Sequence, residues 1–201
     1  MRYLNLIVIV LVLIMTVTAC GGDATTPAPA ETPAAEAPAA SDLPALTQTV
    51  TSGNHVTVSY PDGWLDPISD IGVFLYNNKD GQDILSFMRA RPGGLAFQIN
   101  SQPGSSQRTP TELFEFTFSP LVEGLGMTLS EPETITLDGV EILKTTATNV
   151  NAGSNLGLYL ALKPASDGGF ATFVVYLSPD EIEAQTPLIE AILSTVDVTA
   201  S

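Results

Sequence analysis

From residue 46 onward the chain consists of short apolar segments in alternation, separated by turn-forming residues, a pattern that predicts β-strands. Val56, Val58 and Tyr60 share one face of the segment 55–60, which leaves His55 on the outer face. Ile71 to Tyr76 and Ile84 to Met88 flank Asn77-Asn78-Lys79-Asp80-Gly81, and that arrangement predicts a hairpin. Leu95 to Ile99 alternates again. Asp138-Gly139 predicts a two-residue turn of type I′, with Leu137 opposite Val140 and Ile135 opposite Ile142.

Two later segments lack a polar face. Leu156, Leu158, Leu160 and Leu162 alternate with Gly157, Tyr159 and Ala161, while Phe170 to Leu177 is nearly continuous apolar sequence. Such strands are covered on both sides, so the chain must supply two covering layers. Thr109-Pro110-Thr111-Glu112 and Ser178-Pro179-Asp180-Glu181 each place an N-cap hydroxyl before Pro, with Glu at the third helical position. Each predicts a capping box and a helix start. Phe114, Phe118, Leu121, Val122 and Leu125 form one helical stripe; Ile182, Ile189, Ile192, Leu193 and Val196 form the other. Pro120 and Pro187 fall inside these windows and predict a kink or restart at each, and Gly124 or Gly126 ends the first helix. The fold class this favours is α+β: a three-layer α/β/α sandwich around a mainly antiparallel sheet. No internal repeat is visible.

The first 45 residues are different in kind. Leu6 to Val17 is apolar apart from Thr16, with Arg2 before it. As a helix it would span about 18 Å at ~1.5 Å per residue, short of a ~30 Å hydrocarbon core. That is a secretory h-region rather than a membrane span. It ends in Val17-Thr18-Ala19-Cys20, which resembles the bacterial lipoprotein lipobox. The resemblance implies a signal peptide over 1–19, cleavage after Ala19 and a diacylglyceryl thioether on Cys20. It also implies a partner, the lipid bilayer, and a place on the extracytoplasmic face of a bacterial cell membrane. Gly21 stands where Asp would signal inner-membrane retention in Gram-negative bacteria. Residues 21–45 are rich in Pro and Ala with almost no large apolar side chain, so they cannot offset their ordering entropy. Residues 20–45 are therefore expected to be a lipidated Cys and disordered tether, and 46–201 one globular domain.

The domain also carries a resemblance. Tyr60-Pro61-Asp62-Gly63-Trp64 closes an early strand as Tyr-Pro-x-Gly-Trp does in many members of the PsbP/Mog1-like superfamily. The closing order is similar too: a hairpin at Asp138-Gly139, two long strands, a capped helix, then Leu193 to Val196 leading into a terminal strand. The resemblance implies an α/β/α sandwich used as a binding or assembly module, as in photosystem accessory subunits, a nuclear-transport factor and assorted bacterial lipoproteins. It implies no catalytic set.

Charge and residue counts narrow the chemistry. The chain carries 7 Lys+Arg against 22 Asp+Glu, a formal net charge of −15. Residues 46–201 hold six basic and eighteen acidic residues, a net −12. This balance excludes nucleic acid as a partner, because little could release phosphate counterions. A single Cys excludes a disulfide framework and a Cys-based zinc site. His55, the only imidazole, has no accompanying nucleophile motif and is expected to be a solvated strand residue. Asp62, Asp66 and Asp70, with Asn77, Asp80 and Asp83, offer oxygens for a weak Ca²⁺ site, but they lack the EF-hand spacing and serve equally as turn formers. Tyr60 and Trp64 could line a ligand groove or anchor the core beside the turn. The glycine pairs 93–94 and 168–169 fit loops rather than phosphate cradles, and Ser101 to Ser106 is a polar loop before the first helix. No catalytic residue, cofactor or metal is assigned. The expected function is a membrane-anchored, non-catalytic binding or assembly module with an envelope protein partner. Two alternatives stay open: a binder of a small apolar ligand or lipid, and a carboxylate-based hydrolase of envelope glycans.

Overall fold

The positions that the sequence leaves without a polar face become the middle of the sheet. The computed structural model describes residues 43–102, 108–149, 155–166 and 168–199. The first part comprises β1 (Gln48–Thr51), β2 (Val56–Tyr60), β3 (Val73–Tyr76), α1 (Lys79–Phe87), β4 (Ala96–Gln102) and α2 (Pro110–Gly124). Then come β5 (Thr128–Leu129), β6 (Glu133–Leu137), β7 (Val140–Asn149), β8 (Leu156–Pro164) and β9 (Phe170–Leu177). A 3₁₀ turn (Pro179–Glu181), α3 (Ile182–Thr195) and β10 (Asp197–Val198) follow.

Seven strands form one sheet in the order β3-β4-β9-β8-β7, and β5 and β6 both pair with the outer edge of β7. Every pairing is antiparallel. A second sheet, β1-β2-β10, is small. The predicted type I′ turn joins β6 to β7: Asp138 and Gly139 have φ of 50° and 80°, and Leu137 and Ile135 face Val140 and Ile142.

The period-2 alternation sorts side chains into two cores. Leu156, Leu158, Leu160 and Leu162 pack with Ile84 of α1 and with Phe114, Phe118 and Val122 of α2. Tyr159 and Ala161, with Phe173 and Val175, pack on the other side against Ile189, Ile192 and Leu193 of α3 and against Val56 and Val58 of β2. Helices α1 and α2 thus cover one face, and α3 with the small sheet covers the other. This is the three-layer α/β/α sandwich that the sequence predicts. Gly157 lets the layers close: a Cβ there would lie 3.0 Å from the Pro179 Cα.

Local chemistry accounts for both the agreements and the departures. The first capping box forms. The Glu112 amide donates to Thr109 Oγ1 (3.3 Å) and the Thr109 amide to Glu112 Oε2 (2.8 Å). These bonds to the ionised form hold the Glu112 carboxyl below its ordinary pKa. The second box does not form. Ser178 makes no capping bond, α3 begins only at Ile182, and Glu181 turns away to accept from the Gly93 amide at 2.8 Å. Pro120 and Pro187 lie inside helices that run on without restarting.

The hairpin expected around residues 77–81 is instead the start of α1. Asn78 caps it, its Oδ1 accepting from the Gly81 amide at 2.9 Å. Asn77 ties the helix to the next strand, its Oδ1 accepting from the Leu95 amide (2.7 Å) and its Nδ2 donating to the Gly93 carbonyl (2.7 Å), to which Asn78 Nδ2 also donates (3.1 Å). Strand β3 therefore pairs with β4, and Ile71 falls outside it, 75% exposed. His55 is not on a strand either: it lies exposed in the β1–β2 turn with φ of 61°. Cys20 and the tether up to residue 42 lie outside the described residues, as do 103–107 of the polar loop; Ser101 and Gln102 belong to β4.

Gly81→Ala tests the docking of α1. Helix propensity alone would favour Ala by about 1 kcal/mol, but the added Cβ would run into the Leu95 carbonyl oxygen and come within 2.8 Å of Asn77 Oδ1. Urea denaturation is expected to show a net loss of about 1–3 kcal/mol, the cost of overpacking. A gain would mean that α1 is not seated on β4.

Candidate binding cleft

Thr109 and Pro110 start α2 above the ends of β7, β8 and β9, and a cleft of about 300 Å³ opens beneath its first turn. Sheet register builds its floor: Leu143 pairs with Leu162 and with Thr134, and Pro164 pairs with Phe170. Leu143, Leu162 and Phe170 give apolar walls, with Pro110 and Pro164 at the ends. Thr111 and Thr134 contribute hydroxyls, and Glu141 is the one carboxylate among the described residues of the lining. An apolar recess with a few polar groups is the usual form of a binding site.

The opposite face of the sheet holds a partly buried polar cluster. Lys144 Nζ lies 2.9 Å from Glu190 Oε1 on α3 and 3.2 Å from Glu133 Oε1, and the Tyr159 hydroxyl donates to Glu190 Oε1 at 3.2 Å. Burial acts to lower the Lys144 pKa, but the bonds to the two carboxylates outweigh it and the net shift is upward. Burial, reinforced by Glu190, pushes the Tyr159 hydroxyl far above its ordinary value. The adjoining cavity is about 90 Å³, too small for a sugar ring with its substituents, and Lys144 in its lining is paired with Glu133 and Glu190. The cluster clamps α3 to β7 and β8.

Lys163 makes a second clamp. Its ammonium donates to the carbonyls of Leu193 (3.2 Å), Ser194 (2.7 Å) and Val196 (2.6 Å), using all three donors at the C-terminus of α3. Burial lowers its pKa, opposed by Asp197 and Asp138. It also lines a wider depression of about 490 Å³ with Ser166, Asp197 and Val198.

Tyr60 and Trp64 are brought together, Tyr60 in the core and Trp64 partly buried against it. Their ring centroids are 6.3 Å apart, and Trp64 lies 5.3 Å from Phe97, which in turn meets Phe173 edge-on at 5.7 Å. Neither residue lines any of the three cavities. The acidic loop residues are dispersed. Asp62 accepts from Gln48, Asp83 pairs with Lys79 at 3.2 Å, Asp80 lies 3.9 Å from Arg91, and Asn77 is tied to β4. Among the described residues no three His, Cys, Asp or Glu side chains are grouped so as to hold a metal ion. The cleft itself escaped sequence reasoning, because its walls come from segments up to 60 residues apart with no shared motif.

No family model matches the chain, and no curated protein matches it. Solved structures do. The solution structure of cyanobacterial PsbP (CyanoP) from Synechocystis sp. PCC 6803 is similar over 76% of this chain and 92% of its own, with a TM-score of 0.52 and 15% identity. A Pseudomonas aeruginosa protein of unknown function is similar over 77% of this chain and 98% of its own, with a TM-score of 0.44 and 13% identity. The first likeness establishes a PsbP-like fold for residues that the sequence motif only suggested.

Burial also raises the Tyr176 hydroxyl, to about 12. Tyr159 and Tyr176 should stay protonated in the native state at a pH where an unfolded tyrosine, near 10, has ionised. Their contribution is complete below pH ~10 and is lost as the pH rises beyond it. Titration at 295 nm should show both residues silent until the chain unfolds, and Tyr159→Phe should reduce the alkaline loss of stability. Ionisation of both near pH 10 in the folded protein would contradict their burial.

Proposed function

We propose that the chain is a bacterial lipoprotein, anchored through Cys20 on the extracytoplasmic face of a membrane, whose PsbP-like domain is a non-catalytic binding or assembly module. Val17-Thr18-Ala19-Cys20 supports the anchor, with the lone Cys at the position where the lipid-transfer chemistry needs a thiol. The Pro/Ala-rich residues 21–45 would act as a spacer of up to roughly 80 Å at ~3.1 Å per residue. Two or three acyl chains, at ~0.8 kcal/mol per buried CH₂, would hold the protein firmly.

The observation that carries the binding reading is the cleft under α2. Apolar walls, two hydroxyls and a single carboxylate can recognise a group and hold it. Hydrolysis of a glycoside, by contrast, uses two facing carboxyl groups, and among the described residues of the lining Glu141 has no such counterpart. The alternative of a small apolar ligand also belongs at this cleft rather than at Tyr60 and Trp64, since its volume lies at the lower end of small-molecule sites.

Mass spectrometry of the membrane-derived protein, together with in-cell crosslinking, tests the proposal. The mature chain should begin at a diacylglyceryl-modified Cys20, Cys20→Ser should abolish the modification, and a recurrent envelope protein should co-purify with the wild type. A mature chain starting elsewhere with a bare thiol would overturn the anchor. Repeated crosslinking that returns no partner would overturn the module.

A further inference from the structure

We propose that the cleft beneath the first turn of α2 receives a lysine side chain presented by a protein partner. The inference rests on the binding-module reading above and specifies what the module grips. Leu143, Leu162 and Phe170 form an apolar sleeve suited to the methylene stem of a lysine, which favours apolar surroundings while its head stays polar. Glu141 and Thr134 from the β6–β7 hairpin and Thr111 from α2 supply oxygen acceptors. A compact ammonium with three rotatable donors matches dispersed acceptors, whereas the planar fork of arginine favours a bidentate partner. The Phe170 ring adds a surface that attracts a cation.

The distribution of charge supports a cationic occupant. None of the six basic residues of the domain lines the cleft. Lys144 and Lys163 bind α3 on the opposite face of the sheet. Lys79 pairs with Asp83, Arg91 lies near Asp80, and Arg89 sits exposed just beyond α1. Arg108, which immediately precedes α2, is also engaged elsewhere: its guanidinium lies 3.7 Å over the Phe116 ring. The Glu141 carboxylate therefore has no cation in its own cleft, and the surrounding domain carries a net −12. Such a field draws basic surfaces in and turns acidic ones away.

The test uses the full lipidated chain in phosphatidylcholine nanodiscs, with ¹³C-methyl NMR of Leu143 and Leu162 as a local readout. Three probes are compared: Nα-acetyl-lysine methylamide, its Nε-acetylated form, and n-hexylammonium. The capped lysine should shift both leucine methyls saturably. Nε-acetylation should weaken binding about tenfold, and Glu141→Gln, which keeps the shape, by about threefold to tenfold. Thr134→Trp, at the exposed rim, should abolish the shifts while the remaining methyl spectrum stays native. Equal binding of the acetylated probe would overturn the proposal, as would binding of n-hexylammonium without the capped lysine, which would indicate a free amine as the occupant. A crosslinked envelope partner captured equally well by Thr134→Trp would overturn the lysine assignment and leave the module reading standing. An unmodified Cys20, by contrast, would overturn the anchor and leave the cleft unaffected.

Discussion

Two-sided burial of β8 and β9 is the constraint on which the rest of the structure depends. Nearly every residue of these strands is removed from water, and each fully buried leucine or phenylalanine contributes on the order of 1.5–3 kcal/mol. A sheet with an apolar middle on both faces has no stable solvated form, so the chain must supply cover twice. It does so asymmetrically. Two helices close one side, while one helix and a three-stranded sheet close the other.

The two covering layers are held by different means. On the α1–α2 side the contacts are almost wholly apolar, and the Phe114–Phe118 pair, 4.7 Å between centroids, packs edge to face over the leucines of β8. On the α3 side, apolar packing is joined by two lysines that project from the sheet to the helix, Lys144 to Glu190 and Lys163 to the last carbonyls. The C-terminal half of α3 is thereby fixed in register. Breaking either contact would strand a charge in a poorly hydrated place, so these bonds specify position as well as adding stability.

This division has a functional corollary. The side carrying the charged clamps has spent its polar groups on the fold. The side covered by α1 and α2 keeps a recess whose described residues include one carboxylate and no cation. The proposed binding role rests on this recess.

Much of this architecture is already determined by the amino-acid order, wherever the physics is local. The type I′ turn at Asp138-Gly139 needs only two residues that tolerate positive φ; the capping box at Thr109 needs only four positions; and the polarless runs of β8 and β9 dictate cover on both faces. The features that only the tertiary structure decided are those in which a local preference met a distant competitor. Asn77 and Asn78 are natural hairpin letters, but the Leu95 amide and Gly93 carbonyl, from the following strand, captured Asn77 and left Asn78 to cap a helix. Ser178 to Glu181 spells a capping box, yet the Gly93 amide took the carboxylate that would have closed it. The cleft lies furthest from the linear text. Thr111, Thr134, Glu141, Leu162 and Phe170 share no spacing, and they meet only because strand register and the entry angle of α2 bring them to one place. A pattern along the chain reports the energy of neighbours, whereas a site assembled across a sheet depends on which non-local contacts win once the chain is closed.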